Sequence, residues 1–285
     1  MARPARLRLP LAGLGFGGLW LSQGEWFYTA VPRSFEDLLD EAMEVPVDGW
    51  DFSWLDGRAT EERPSWGYQR LLAGKLAMST AALEIQTGGG EVLAGAGAEN
   101  FPPTLVATEG WLPNVAKATA LLHPLGAVVV AVPEDAPLPF ADDAFDLVTS
   151  RHPARVHWTE IARVLRPGGA YFAQHVGGAT NVEITEFFMG PVRAANGRHH
   201  EVEAERAKEA GLEIIQCRNE LLKLEFFDVG AMVFFLRKVI WTVPDFSVER
   251  YRHRLKDLHH QIEQDGVFRS SMSRTLFEFR KPPIA

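Results

Sequence analysis

Only one cysteine, Cys217, stands in a chain of 285 residues. That excludes an internal disulfide and any metal site built from several cysteines, and it suits a reducing compartment, taken here as the cytoplasm. Cys217 itself reads as buried packing rather than as a nucleophile. The nine histidines offer no replacement: none falls in a His-Glu-x-x-His spacing, and in the pairs His199-His200 and His259-His260 adjacent side chains are expected to diverge. No structural metal is expected. Basic charge is also short, with 29 Lys and Arg against 37 Asp and Glu, which argues against nucleic acid as the main partner. Long apolar runs are missing too. Leu9 to Leu21 follows Arg3, Arg6 and Arg8 in the manner of a signal peptide, but it contains Pro10 and no Ala-x-Ala site follows it. It is too short to span a bilayer as a helix, so it reads as a flexible extension with no membrane role. No internal repeat or low-complexity linker is present.

Among what is present, Ala81-Ala-Leu-Glu-Ile-Gln-Thr-Gly-Gly-Gly-Glu91 organises the rest. Leu83 and Ile85 point to one face of a short strand and Glu84 to the other. Three glycines and a helical run, Glu91-Val-Leu-Ala, follow. A strand that ends in glycines and feeds a helix makes a tight turn where backbone can approach a nucleotide or carboxylate closely. A plain strand–turn–helix connection has the same appearance.

Along the chain, Ser34 to Glu44 reads as a short acidic helix with Ser34 and Asp37 as a capping box. The aromatic loop Trp50-Asp-Phe-Ser-Trp-Leu-Asp-Gly-Arg58 packs on a neighbouring layer or forms a lid. A helix over 65–78 leads into the glycine stretch. Strands and helices then alternate, the pattern of a parallel sheet covered on both faces. Strands are expected at 104–109, 128–132, 145–150, 170–175, 212–217 and 221–227, and a closing strand at 274–280. Val128 to Val132, an unbroken apolar run, suits burial on both faces. Helices are expected near 113–122, 156–165 and 201–210, and residues 228–264 read as largely helical.

Four segments, in this order and spacing, resemble the class I S-adenosylmethionine-dependent methyltransferases over about Trp66 to Lys281. They are Leu83 to Gly90, Glu109 at the end of the second strand, Glu134-Asp-Ala-Pro-Leu-Pro-Phe140 with Ala144-Phe-Asp-Leu-Val148, and Glu160-Ile-Ala-Arg-Val-Leu-Arg-Pro-Gly-Gly169. The resemblance implies an α/β, Rossmann-like, doubly wound sheet of seven strands, mostly parallel with the last antiparallel. An N-terminal helical extension and aromatic cap would occupy 1–64. The methyltransferase domain would cover 65–285, with 228–266 as a helical insertion. The implied cofactor is S-adenosyl-L-methionine, with S-adenosyl-L-homocysteine as product. Its contacts would come from Glu84 (methionyl amine), Gln86, Thr87, Gly88, Gly89 and Gly90, with Gly88 and Gly90 letting the backbone come close, from Glu109 (both ribose hydroxyls), Gly110, Asp135 and Ala136 (adenine), and Arg151. Trp111 would either face the adenine or simply pack. Gln86 departs from the family pattern, which has glycine there. Its side chain must point away or cover part of the pocket, a positive φ would strain it, and the departure leaves room for a catalytically silent relative. An NAD site fits poorly, because its glycines read Gly-x-Gly-x-x-Gly.

Reacting ligands in open α/β sheets lie at the carboxyl ends of the strands. That nominates Arg151 and His152 after the fourth strand and Gln174 and His175 on the fifth, with His152 and His175 as candidate bases or structural groups. The apolar stretch Phe226 to Leu236 fits a dimer contact, core or acceptor pocket, and a cap over the site is favoured. The expected acceptor is a small, partly hydrophobic molecule, methylated on oxygen. An RNA or protein acceptor, supported only by Arg193, Arg198 and Arg206, and a silent cofactor-binding relative are the alternatives.

Overall fold

The computed structural model describes residues 16–20, 26–30, 33–49, 51–191 and 198–283. In chain order the elements are β1 (Phe16–Trp20), β2 (Trp26–Ala30), α1 (Phe35–Glu44), β3 (Ala59–Glu61), α2 (Tyr68–Leu76), β4 (Ala81–Ile85), α3 (Glu91–Ala94), β5 (Thr104–Glu109), α4 (Leu112–Leu122), β6 (Val128–Ala131), β7 (Phe145–Arg151), α5 (Trp158–Val164), β8 (Leu165–Val176), α6 (Val182–Met189), α7 (His200–Glu209), β9 (Glu213–Phe226), α8 (Val229–Lys238), α9 (Val248–Asp265) and β10 (Phe268–Arg280). Trp50 and residues 1–15 of the N-terminal extension lie outside the described residues. Where a flexible extension was expected, β1 and β2 pair as an antiparallel hairpin.

The main sheet has the order β3-β9-β10-β8-β7-β4-β5-β6. Its central strands are parallel, and β10 runs antiparallel to both β8 and β9. Eight strands stand where seven were expected; the eighth is β3, which pairs Ala59 with Phe226 on the outer edge of β9. The chain winds from β4 through β5 to β6, then returns to β7 on the other side of β4. A crevice opens at such a reversal, on the carboxyl ends of the strands.

Two apolar cores flank the parallel sheet, one under α2 and α4 and one under α5 and α7. A third lies elsewhere. Arg274 pairs with Val176 at the end of β8, so residues 268–273 of β10 and 221–226 of β9 run on past the parallel strands. Helices α1, α6, α8 and α9 pack on this overhang around Phe226, Met232, Leu236 and Leu258. The stretch Val229 to Leu236, favoured from the sequence as a cap over the site, is buried inside this third core. The aromatic loop joins it by packing: Trp54 lies 5.0 Å from Phe234, and Arg58 sits over Trp54 while forking onto Asp228, the N-cap of α8.

Three local expectations need correcting. β6 is an edge strand and Val128 is 54% exposed, because a run of valines records apolar content and not how many neighbours a strand has. The segments 212–217 and 221–227 are one strand, β9, paired along its length with β10. Cys217 lies exposed on it.

The capping box of α1 forms as expected: the Asp37 N–H donates to Ser34 Oγ at 3.2 Å and the Ser34 N–H to Asp37 Oδ2 at 3.0 Å. Ser34→Ala leaves an N-terminal donor without its acceptor, and a loss of about 1 kcal/mol is expected in urea unfolding.

Candidate active site

The turn after β4 is strained and pinned. Gln86, Gly88 and Gly90 have φ of 56°, 65° and 86°, the left-handed region that glycine enters freely and glutamine does not. The Thr87 N–H donates to Thr108 O on β5 at 2.9 Å, and a Cβ on Gly90 would come within 2.9 Å of Leu122 on α4. Above Gly88 the space is open. Helix α3 is a single turn, so the anion-attracting helix start expected there contributes little.

Glu109 meets that turn. Its Oε2 accepts from the Gly88 N–H at 2.8 Å, and its Oε1 accepts from Gly110 and Trp111 at 3.0 and 2.9 Å. Oε1 is thereby filled, while Oε2 keeps acceptor capacity. The following residue has to be small, since a Cβ on Gly110 would lie 3.0 Å from Val132 O. Glycine turn and carboxylate therefore share one rim, and the exposed Trp111 borders it.

Across the crevice lies the loop from β7 to α5. Gln86 reaches over to it: Nε2 donates to Arg155 O at 2.8 Å, and Oε1 accepts from the Ala154 N–H at 2.7 Å. The side chain thus spans from the turn to the β7–α5 loop. Asp135 pairs with Arg155 at 2.9 Å at the surface, and the Ala136 N–H donates to Pro133 O within a turn, so both are engaged with protein. A small pocket beneath, bordered by Ile85, Thr108, Val132 and Tyr171, measures about 30 Å³.

Sequence reading missed the clamp that holds the Leu138-Pro-Phe140 segment. Glu160 Oε2 accepts from the Leu138 N–H, and Arg163 donates to Leu138 O, Phe140 O and Glu160. The Arg163 guanidinium, chiefly by this hydrogen bonding, holds the Glu160 carboxyl below its usual range. The only available signal was that the two motifs occur together.

On the acceptor side, Trp66 Nε1 donates to Gln174 Oε1 at 2.8 Å, which turns the Gln174 amide nitrogen toward His152 Nε2, also at 2.8 Å. His152 Nε2 is therefore an acceptor and its proton sits on Nδ1. Burial, then the charges of Arg151 and Arg274, push its pKa well below the usual histidine value. His175 points to the opposite face of β8. There its Nε2 bonds to Tyr171 Oη at 2.9 Å and its ring lies 4.9 Å from Phe277; burial drives its pKa down to about 3. It belongs to the core beneath the site. Arg274, also unforeseen, is buried and pairs with Glu61 on β3 at 2.9 Å.

Residues 83–173 match the family of methyltransferase domains. Over those residues the chain carries a methyltransferase domain. No curated protein matches it. Among solved structures, one described as a putative methyltransferase of Bacillus halodurans is 20% identical, covers 75% of this chain and 98% of its own, and superposes with a TM-score of 0.53. The YcgJ protein of Bacillus subtilis gives 16%, 76%, 99% and 0.50. A phosphoethanolamine N-methyltransferase of Haemonchus contortus, complexed with phosphomonomethylethanolamine and S-adenosylhomocysteine, gives 19%, 90%, 62% and 0.50. These likenesses establish the fold.

The methyltransferase's own residues fit the adenosyl sulfonium cofactor. Gly88 leaves open space, Glu109 offers an acceptor beside it, and Thr87 Oγ1 is buried with no hydrogen-bond partner among the described residues. Glu84 lies buried beneath, receiving the Thr149 hydroxyl. Among the described residues no group of three His, Cys, Asp or Glu could hold a metal, and the rings of His199 and His200, expected to diverge, stack at 4.6 Å. No helix of the described residues is long and apolar enough to cross a membrane.

Proposed function

We propose that this methyltransferase transfers its methyl group to a small, partly hydrophobic acceptor through an oxygen that arrives already ionised. The observation that carries this reading is the chemistry at the ends of β7 and β8. Arg151 and the Glu61-paired Arg274 lie close together there, burial lowers the basicity of both His152 and His175, and Nε2 of His152 is occupied by Gln174. A hydroxyl of ordinary acidity needs a base to take its proton; a carboxylate or an acidic phenolate does not. When bound, S-adenosylmethionine supplies an electrophilic methyl group, and the chain's work is to bring the acceptor into line with it and exclude water.

In this reading Glu109 and the glycine turn hold the ribose, Asp135 and Ala136 border the adenine, and Glu84 and Arg151 face the two charges of the methionyl end. Arg274 and the Nδ1–H of His152 steady the acceptor anion, and His175 serves as packing. A lone cysteine suits a cytoplasmic setting. The macromolecular alternative has less behind it: Arg198 donates to Ala154 O, Arg206 pairs with Glu203, and Arg193 lies outside the described residues.

The test is an acceptor screen with isotopically labelled cofactor, run as matched pairs of free acids or phenols and their neutral ethers or amides. Label is expected in the ionisable members only. Transfer confined to amines, or to RNA or protein, would sink the proposal. With a working acceptor in hand, His175→Phe should leave kcat within about threefold of wild type, as expected for a packing residue.

A further inference from the structure

Side chains bridge the crevice between the glycine turn and the β7–α5 loop. A ligand seated between the two has to displace that bridge, and the loop has to move with it. That loop is tied down at four points. Gln86 grips Ala154 and Arg155, Asp135 pairs with the Arg155 guanidinium, His157 Nε2 lies 2.8 Å from Glu134 O, and Arg198 donates to Ala154 O. Two of the four anchors, Gln86 and Asp135, stand on positions that the cofactor reading assigns to cofactor contact. Loop and cofactor therefore compete for the same groups.

Resting on the methyltransferase reading, we infer that Gln86 is an affinity-determining latch: its amide, held across the cleft by Ala154 and Arg155, must release before S-adenosylmethionine can bind. A glycine at this position would leave the cleft without the crossbar. Gln86 also sits at a φ of 56°, unfavourable for a side-chain-bearing residue, and the two amide hydrogen bonds compensate for that conformation. Arg155 and Asp135 are 60% and 77% exposed. Exposed pairs exchange readily with water, so the latch opens without disturbing the core, and cofactor exchange need not involve unfolding of the sheet.

The test uses the full chain and titrates S-adenosylhomocysteine by calorimetry and stopped-flow fluorescence, comparing wild type with Gln86→Gly and Arg155→Ala. Arg155 lies at the surface and outside the cofactor contacts, so its replacement leaves the fold intact. Gln86→Gly is expected to tighten binding about tenfold and Arg155→Ala about threefold, each with faster association, as removing a competing closed state should. Amide exchange at Ala154, followed by NMR in the wild type, should accelerate when the ligand is added, because its Gln86 acceptor has left. If all three proteins bind equally, or the variants bind more weakly or more slowly, the latch is refuted while the methyltransferase reading stands. If none binds at millimolar ligand, the cofactor reading and the latch fall together.

Discussion

Glu109→Ala should raise the dissociation constant for S-adenosylhomocysteine by about 100-fold or more, roughly 3 kcal/mol at the scale of charged hydrogen bonds. The carboxylate links the glycine turn to the residues after β5. It accepts from Gly88, Gly110 and Trp111 and is the residue assigned to the ribose. Removing it deletes an ionised acceptor and orphans three backbone donors, so calorimetry should show lost binding and thermal melting a lower Tm. Glu109→Gln separates the two effects: one amide oxygen can still accept from the turn, and the melting loss should be smaller than the binding loss. Wild-type affinity in the alanine variant would mean that the ribose is held elsewhere.

Glu84→Gln should make the protein more stable above neutral pH. Glu84 is 2% exposed, and burial raises its pKa to about 7, against which the Thr149 hydroxyl and the Arg151 charge act only in part. The unfolded chain ionises near 4.5. Below that, both states carry the proton and nothing is lost. Between about 4.5 and 7 the folded state keeps a proton that the unfolded state has released, so stability falls as pH rises; above about 7 both are ionised and the penalty is constant. Its size is roughly 3 kcal/mol from the separation of the two values. Urea unfolding at pH 5 and pH 8 should show a decline for the wild type and a much flatter profile for Glu84→Gln. Cofactor affinity should run the opposite way: if Glu84 faces the methionyl ammonium, S-adenosylhomocysteine binds more tightly as pH rises through about 7, and the glutamine variant loses that dependence. An identical decline in both proteins would remove Glu84 as its source.

Features written in neighbouring residues were legible in advance. The capping box at Ser34 and Asp37, the glycine turn at 88–90 and the carboxylate closing β5 all depend on short spacings, and so does the alternation of strand and helix that implied a parallel sheet. The family likeness worked for the same reason, its motifs being short strings at strand ends. That Gln86 would be strained if its φ were positive also followed from position within such a string; that the φ is 56° only the structure shows.

What tertiary structure decided involves partners far apart in the chain. Residue 86 meets 154 and 155, Glu61 meets Arg274, and Arg163 reaches back to Leu138; no periodicity announces such pairs. Whether a strand is central or at an edge depends on which other strands lie beside it, so Val128 could not be placed from its own run of valines. The two histidines had the same intrinsic chemistry on paper; alternation along β8 put His175 in the core, and the Gln174 amide turned by Trp66 met His152 Nε2. Sequence alone thus specified the cofactor-type turn and its carboxylate, because backbone geometry there is set within a few residues. Packing alone determined the closed loop over the crevice and the charge of the acceptor end, because burial and long-range contact exist only once the sheet has assembled.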